Sequence, residues 1–310
     1  MKIGDAMNSQ IEITKSKKRV RRMKWFFSIL SVIGFLFIIF QFLPVKKQEK
    51  NMFVSKGSPF VIAHRGGAGI TPENTLTAFK NAKKIGVDAL EFDVHLTKDG
   101  EIVVIHDETL DRTTNGTGNV ADYRLDELKQ LDAGYHFVDE QGNYSYRGKG
   151  VTIPTLAEVF ENFSELPMII EIKPENKELT GKVYEMIKEY DLADKVIINS
   201  FYENVLVWFH EIAGDEIAIG AGPETVKKYV ISNLFYLDRL ISLDVHAFQL
   251  PLEQSGIDLA SKRIIQTLQK RNIAVQYWTI NDVEEMEELI DLGVDGIITN
   301  YPDRLISLLK

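Results

Sequence analysis

Short runs of aliphatic and β-branched residues alternate with helical patterns along most of the chain. The predicted strands are Phe60–Ala63, Ala89–Val94, Ile102–Ile105, Met168–Ile172, Lys195–Ser200, Glu216–Gly220, Leu243–Ala247, Ala274–Thr279 and Gly296–Thr299. The predicted helices are Glu73–Ile85, Thr155–Asn162, Leu179–Tyr190, Glu203–Ala213, Lys262–Lys270 and Asp282–Asp291. Strands that alternate with helices form βαβ units around a parallel sheet. With about eight such repeats in roughly 250 residues, we expect an α/β fold closed as a TIM (β/α)8 barrel, with a doubly wound open sheet as the alternative.

One stretch interrupts this alternation. Residues 111–150 are rich in glycine and aromatic residues and contain no clear strand–helix unit. A loop of that length inside a compact domain is uncommon and usually functional. We therefore expect a small insertion on the rim of a barrel domain that spans residues 59–310.

Residues 25–43 form an uncharged, apolar run of 19 residues, WFFSILSVIGFLFIIFQFL. About 20 such residues are needed to cross the hydrocarbon core of a membrane. The run is longer than the apolar region of a cleaved signal peptide and ends without an A-x-A-like site. The sequence therefore predicts an uncleaved transmembrane signal-anchor helix rather than a signal peptide or a buried helix. Residues 44–58 would then be a linker.

The charge of the chain is divided unevenly around this run. Residues 1–50 contain 11 Lys and Arg against 3 Asp and Glu, which leaves 25 basic and 42 acidic residues in the remainder. Because the basic segment 1–24 precedes the apolar run, the positive-inside rule predicts a cytoplasmic N-terminus and an extracellular body at the cell membrane. The acidic body disfavours nucleic-acid binding. The chain has no cysteine, which excludes disulfides and Cys-ligated metals and fits an exported domain.

Polar and ionisable residues stand at the downstream ends of four predicted strands. In chain order they are His64 and Arg65, Glu91 and Asp93, His106, and Glu171 and Lys173. The carboxyl ends of barrel strands meet at one mouth, and barrel active sites lie there. We therefore expect these side chains to converge.

The three carboxylates among them predict a cation site. Alternate residues of a strand face the same way, so Glu91 and Asp93 share a face. Like charges in one mouth raise each other's pKa unless a cation balances them, and oxygen ligands suit Mg²⁺ or Ca²⁺. His64 and His106 could exchange protons near neutral pH. We interpret the remaining histidines as structural: His95, His136, His210 and His246.

Further sequence blocks extend this pattern in a fixed order. They include His64-Arg65-Gly66, Pro72-Glu73-Asn74-Thr75, Glu91-Phe92-Asp93-Val94, His106-Asp107, Asp111-Arg112-Thr113-Thr114, Pro154-Thr155-Leu156, Glu171-Ile172-Lys173, Trp278-Thr279 and Asp295-Gly296-Ile297-Ile298-Thr299-Asn300. Together they resemble the glycerophosphodiester phosphodiesterase (GDPD) family over residues 60–305. The resemblance implies a TIM barrel with a small insertion. It also implies metal-dependent hydrolysis of small-molecule glycerophosphodiesters to sn-glycerol 3-phosphate and an alcohol.

The resemblance implies a general acid and base, two cations that contact the phosphate, and three carboxylates that bind a divalent metal ion, Mg²⁺ or Ca²⁺. In that order these residues are His64 and His106, Arg65 and Lys173, and Glu91, Asp93 and Glu171. Trp278 would form an apolar wall for the glycerol carbons, with ordinary core packing as its alternative.

Two other functions stay open from the sequence. A membrane anchor also fits a phospholipase D-like phosphodiesterase that acts on lysophospholipids or on polyglycerol-phosphate polymers of the envelope. The second is a non-catalytic barrel that only binds a ligand. That alternative predicts the loss of at least one of the seven residues at the mouth, and all seven are present.

Overall fold

The computed structural model describes residues 3–42, 44–49, 51–55 and 57–310, with the backbone alone for 3–14 and 16. Leu43 of the predicted span and Lys50 and Lys56 of the predicted linker lie outside the described residues, as do the first two residues of the basic segment. The chain forms two units, Met1–Val45 and Lys46–Lys310.

The first unit contains one continuous helix, α1 (Ile3–Phe40). Within it, the 24 residues Lys17–Phe40 include a segment with a mean hydropathy of 2.2. At 1.5 Å per residue, 24 residues extend about 36 Å, which exceeds the roughly 30 Å hydrocarbon core of a bilayer. The helix is therefore long and apolar enough to cross a membrane, a property that signal sequences share.

The second unit alternates strands and helices. Its strands are β1 (Phe60–Ala63), β2 (Ala89–Leu96), β3 (Ile102–Val104), β4 (Met168–Ile172), β5 (Val196–Asn199), β6 (Ala218–Ile219), β7 (Ala247–Leu250), β8 (Glu253–Gln254), β9 (Ile257–Asp258), β10 (Ala274–Tyr277) and β11 (Gly296–Thr299). Its helices are α2 (Leu76–Ile85), α3 (Leu125–Leu128), α4 (Leu156–Phe163), α5 (Lys177–Glu189), α6 (Glu203–Ala213), α7 (Pro223–Leu234), α8 (Lys262–Gln269), α9 (Val283–Leu292) and α10 (Pro302–Leu308).

Across the described residues, eight parallel strands follow one another in the order β6-β5-β4-β2-β1-β11-β10-β7. A parallel bridge between Gly220 and Ala247 joins the two ends of this series. The sheet therefore closes on itself, and the predicted TIM (β/α)8 barrel is confirmed over the open sheet.

The strand predicted at Ile102–Ile105 does not belong to the barrel. Here β3 pairs antiparallel with the far end of β2, with Val104 opposite Val94. A short apolar run has the same sequence pattern in a parallel strand as in an antiparallel one. The sequence therefore could not predict how β3 pairs with its neighbour. The β2–β3 hairpin carries the chain beyond the barrel and back to its mouth, where the amide of Ile105 donates to the carbonyl of Asp93.

Other elements also differ from the predictions. Helix α2 begins at Leu76 rather than Glu73, because the Thr75 side chain caps it by accepting from the amide of Ala78. The strand predicted at Leu243–Ala247 lies later in the chain, because β7 covers Ala247–Leu250 and overlaps the prediction only at Ala247. Helices α7 and α10, which were not predicted, each begin with a proline at the first helical turn.

An apolar layer fills the barrel interior at the amino ends of the strands. Its members are buried and come from seven strands and from the segment before β1: Phe53, Ile62, Ala89, Ile169, Ile197, Ala247, Ala274 and Ile298. Phe53 is 1% exposed. Its segment is held by Asn51, whose Nδ2 donates to the carbonyl of His246 at 3.0 Å, and by Ser55, whose amide donates to Asp295 at 2.8 Å.

The insertion has a small core of its own. Buried apolar residues from residues 111–150 and from the turn that follows pack against the β2–β3 hairpin and the residues just after it: Val103, Ile105, Leu110, Val120, Leu128, Ala133, Val151 and Ile153. This packing fixes the loop that follows β3.

Candidate active site

The two-residue period of the strands carries polar side chains into the mouth of the barrel. Ala89 and Ile169 belong to the apolar inner layer. Glu91 and Asp93 follow Ala89 by two and four residues, and Glu171 follows Ile169 by two, so they face the same interior. Each strand is therefore apolar at its amino end and acidic near the mouth.

Glu91, Asp93 and Glu171 form a compact buried cluster, in which one carboxylate oxygen from each residue lies within 4.8 Å of those from the other two. Burial and the charges of its two neighbours raise the pKa of Glu91 well above its usual value. Burial and Asp93 raise the pKa of Glu171 as well. Three converging carboxylates are the donor set of a hard divalent cation. The residues present therefore fit such an ion.

Lys173 and Arg65 lie against these carboxylates. Lys173 Nζ is 2.8 Å from Glu171 Oε1 and 3.1 Å from Asp93 Oδ1. Although burial lowers the pKa of Lys173, the two carboxylates outweigh it and raise the pKa. The backbone amide of Arg65 donates to Glu91 at 2.9 Å, and its Nε lies 3.5 Å from Asp93. Both predicted phosphate cations are thus beside the acidic cluster.

A tight turn after β1 brings the first histidine and arginine to the cluster. Arg65 adopts φ 51° and Gly66 φ 80°, both in the left-handed region. A Cβ on Gly66 would lie 2.7 Å from the ring of Phe79. Only glycine fits at this position, because both the positive φ and the close approach of Phe79 exclude a side chain. This accounts for the glycine that follows His64 and Arg65.

His64 is held by its Nδ1 atom, which lies 2.6 Å from Asn300 Oδ1. Its Nε2 is 4.0 Å from Glu91 Oε2. Burial and the neighbouring charge of Arg65 lower the pKa of His64 to about 4. An amide oxygen can only accept, so Nδ1 carries the proton and Nε2 has a free lone pair.

His106 is held in the same way. Its Nδ1 lies 2.6 Å from Asp107 Oδ1. Burial lowers the pKa of His106, and the charge of Asp93 and the hydrogen bond to Asp107 offset only part of that effect. Because an ionised carboxylate only accepts, Nε2 of His106 is also left with a free lone pair.

The remaining histidines have other surroundings. His95 Nε2 lies 3.0 Å from the carbonyl of His106 and so supports the loop after β3. His246 accepts from the amide of Ile219. The ring of His136 packs edge-on against Tyr135, and His210 lies in the last turn of α6.

Several contacts at the site were not predicted. Asn74 Nδ2 donates to Asp93 Oδ2 at 2.8 Å, and Glu73 accepts from Arg65 Nη1 at 2.8 Å and from Arg112. Both residues belong to the Pro72-Glu73-Asn74-Thr75 block, which is the sequence feature that could have identified them as site residues. Asn300 could have been found from the same two-residue period, since it follows Ile298 of the inner layer.

Trp278 lies at the wall of a cavity. Its ring meets Phe201 edge-on at 5.6 Å between centroids, and Lys173 Nζ lies 5.7 Å from the centre of the Phe201 ring. Phe201 and Trp278 both line this cavity, which has a volume of about 610 Å³. Its lining is mainly apolar and includes Ala221, Val230, Ile231 and Leu250.

Comparisons with known proteins agree with this architecture. The sequence profile of the Glycerophosphoryl diester phosphodiesterase family matches residues 64–304. A Glycerophosphodiester phosphodiesterase from Caldanaerobacter subterraneus subsp. tengcongensis is 36% identical over 255 residues, which are 81% of this chain and 97% of that protein. Lysophospholipase D GDPD1 of Homo sapiens is 33% identical over 313 residues, 91% of this chain and 96% of that protein.

A solved structure extends the likeness to the fold. The phosphodiesterase of Oleispira antarctica, in complex with the product sn-glycerol-3-phosphate, is 31% identical with a TM-score of 0.65. The match covers 81% of this chain and 97% of that one. These matches agree with the barrel fold and with the residues at its mouth. This chain therefore belongs to the glycerophosphoryl diester phosphodiesterase family and is a phosphoric diester hydrolase.

Proposed function

We propose that the barrel hydrolyses small glycerophosphodiesters to sn-glycerol 3-phosphate and an alcohol. The observation that carries this proposal is the buried carboxylate cluster at the mouth, near two histidines whose Nδ1 atoms are both held by acceptors. The names of the relatives and the product bound to the Oleispira antarctica structure support the same substrate class.

We propose that Glu91, Asp93 and Glu171 hold a divalent metal ion, Mg²⁺ or Ca²⁺. Such an ion supplies Lewis-acid polarisation of phosphoryl oxygens when it is bound. Arg65 and Lys173 contact the phosphate and stabilise the charge that grows on it in the transition state. Both cations are already oriented by the carboxylates that they contact.

His64 and His106 exchange protons with the substrate through their Nε2 atoms. One removes the proton of the attacking hydroxyl or water, and the other donates a proton to the departing alkoxide. With Nδ1 of each ring bonded to an acceptor, Nε2 of the base has the lone pair that takes the proton. The acid donates from Nε2 only as an imidazolium, which carries a proton on both nitrogens. Trp278 forms an apolar wall for the glycerol carbons.

His64→Ala and His106→Ala test this function with glycerophosphocholine as the substrate. Each should reduce the release of glycerol 3-phosphate by about 100-fold or more. His136→Ala, in the insertion, is the matched control and should keep normal turnover. EDTA should abolish activity until Mg²⁺ or Ca²⁺ is restored. Near-normal turnover in either histidine variant would refute the acid–base assignment, and full activity without metal would refute the carboxylate site.

A second candidate function is hydrolysis of lysophospholipids, which the apolar cavity favours. A cavity of about 610 Å³ lies within the usual range for small-molecule sites, and its apolar wall could hold one acyl chain. The human relative carries the name Lysophospholipase D GDPD1. A panel of glycerophosphocholine, lysophosphatidylcholine and polyglycerol phosphate distinguishes the candidates, because only the second requires turnover of the acylated substrate.

We propose that α1 anchors the protein in the cell membrane, with the basic segment 1–24 in the cytoplasm, residues 25–43 in the bilayer, and the domain 59–310 outside. Residues 44–58 connect the span to the domain, and their part around Phe53 packs into the barrel. The apolar stretch and the flanking charges support this topology. Because the chain has no cysteine, single-cysteine variants can report it. Lys149→Cys should react with a membrane-impermeant maleimide on intact cells, and Lys17→Cys only after lysis. The opposite pattern would reverse the orientation.

A further inference from the structure

Arg112 joins two carboxylates from separate loops at the mouth. Its Nη1 and Nη2 donate to Glu73 at 2.7 and 2.8 Å. Its Nε and Nη2 donate to Asp107 at 2.7 and 3.0 Å. These four bonds have the paired geometry in which a guanidinium binds carboxylates most strongly.

The three residues come from different parts of the chain. Glu73 lies between β1 and α2, Asp107 follows the β2–β3 hairpin, and Arg112 opens the insertion. Glu73 is also bound by Arg65, the residue after His64. Asp107 is bound to His106. A continuous series of ion pairs therefore runs from the neighbour of one histidine to the ring of the other.

The carboxylates of this series stay charged. Burial raises the pKa of Glu73, but hydrogen bonds from Arg112 and the charge of Arg65 outweigh it and lower the pKa to about 2. The hydrogen bonds from Arg112 also lower the pKa of Asp107 far below its usual range. A permanently ionised Asp107 can only accept from Nδ1 of His106.

We propose that Arg112 is a positioning residue for His106, which it orients through Asp107 while Glu73 fixes the guanidinium from the other side. This inference rests on the proposed proton-transfer role of His106. In the structure Arg112 donates four hydrogen bonds to the carboxylates of Glu73 and Asp107. These N–H groups are therefore occupied and do not bind a substrate phosphate. The insertion thus helps to build the active site although it lies outside the barrel.

The test compares variants of the full chain with glycerophosphocholine and added Mg²⁺ or Ca²⁺. Arg112→Met and Asp107→Asn should each lower kcat by about 10- to 100-fold, the usual effect of losing a group that orients a functional histidine. KM should change by less than about threefold, since neither side chain binds substrate. Arg112→Lys should not restore kcat, because an ammonium cannot bridge two carboxylates in this geometry.

Arg124→Met is the matched control. Arg124 also lies between two carboxylates, Asp99 and Asp126, each at 3.4 Å, but on the surface. It should keep normal kcat. The double variant Arg112→Met with Asp107→Asn should lose little more than either single variant, because both act through one path.

Three results would overturn the proposal. They are a normal kcat in Arg112→Met, a rise in KM at unchanged kcat, and losses that add in the double variant. If the thermal unfolding curve shows that Arg112→Met does not fold, the kcat and KM of Asp107→Asn alone test the proposal by the same criteria. His106→Ala is measured in parallel. If it stays active, the function of His106 itself is refuted, whereas an inactive His106→Ala beside a normal Arg112→Met refutes the positioning role alone.

Discussion

The Nδ1 atom of His64 lies 2.6 Å from the Oδ1 atom of Asn300, which connects the residue after β1 to the residue after β11. These strands are neighbours in the barrel although the two residues are 236 positions apart. The bond sets the tautomer of His64 because the amide oxygen can only accept. The pairing of β1 with β11 therefore brings His64 next to the acceptor that orients its ring.

Asn300→Leu should reduce kcat for glycerophosphocholine by about 10- to 100-fold, because His64 loses the acceptor that orients its ring. Asn300→Asp keeps an acceptor at the same place and should retain more activity than the leucine variant. Steady-state kinetics of both variants give the comparison. Asn272→Asp is the control for a neutral-to-acidic change elsewhere. Asn272 lies in a turn, and its side chain donates to the carbonyl of Gln48. Equal losses in Asn300→Leu and Asn300→Asp would contradict the role of the acceptor.

The raised pKa values of Glu91 and Glu171 predict a pH-dependent metal affinity. A divalent cation binds the ionised carboxylates, so protons compete with it. The rise in Tm on adding Mg²⁺ or Ca²⁺ should therefore be larger at pH 8 than at pH 5.5. Thermal unfolding with and without metal measures the difference. Glu171→Gln should lose most of the metal-induced rise, whereas Glu178→Gln, an exposed control, should not. An equal rise at both pH values would contradict this prediction.

Glu73 should make the fold more stable at neutral than at acidic pH. Its pKa is lowered from 4.5 to about 2, so its contribution is present above pH 4.5 and is lost as the pH falls through about 2. A shift of this size corresponds to at most about 3 kcal/mol at pH 7. Glu73→Gln should therefore lower the free energy of unfolding at pH 7, and the difference from the unaltered chain should shrink toward pH 2. Denaturant titrations at several pH values test this, and a difference that grows on acidification would contradict it.

The residues at the strand ends could be predicted from the sequence because the signal is local. An apolar run followed by Glu91 and Asp93, or by Glu171 and Lys173, fixes both the strand and the face. The closed barrel likewise followed from the number of alternating units. His106 reaches the mouth for a different reason than predicted, since an antiparallel hairpin returns it there.

The partners of these residues could not be predicted in this way. Arg112 and Glu73 are 39 positions apart, and neither lies in a regular strand or helix that would reveal its direction. Their contact depends on how the insertion packs against the β2–β3 hairpin. Long-range ion pairs of this kind depend on tertiary packing, which a pattern of polar and apolar residues does not encode.

The cavity beside Trp278 should govern the choice between substrates. Val230→Phe places a larger side chain in its lining. If an acyl chain occupies the cavity, this variant should reduce turnover of lysophosphatidylcholine by about tenfold or more and leave glycerophosphocholine turnover nearly unchanged, since a bulky obstruction costs a few kcal/mol. Val207→Phe, on the exposed face of α6, is the matched control. Equal effects on both substrates would show that the cavity does not hold the chain.

Phe53 should be essential for the stability of the barrel although it precedes the first strand. Its ring is 1% exposed and belongs to the apolar layer at the amino ends of the strands, where it also packs against Phe60 at 6.0 Å. Phe53→Ala should lower the free energy of unfolding by about 3–5 kcal/mol, because it leaves a cavity that rigid strands cannot fill. Met52→Ala removes a neighbouring side chain that is 40% exposed and should cost far less. Because the polar mouth lies at the opposite end of the strands, kcat of the folded Phe53→Ala variant should stay normal at low temperature. Equal stability of the two variants would mean that the segment before β1 only connects the barrel to the rest of the chain.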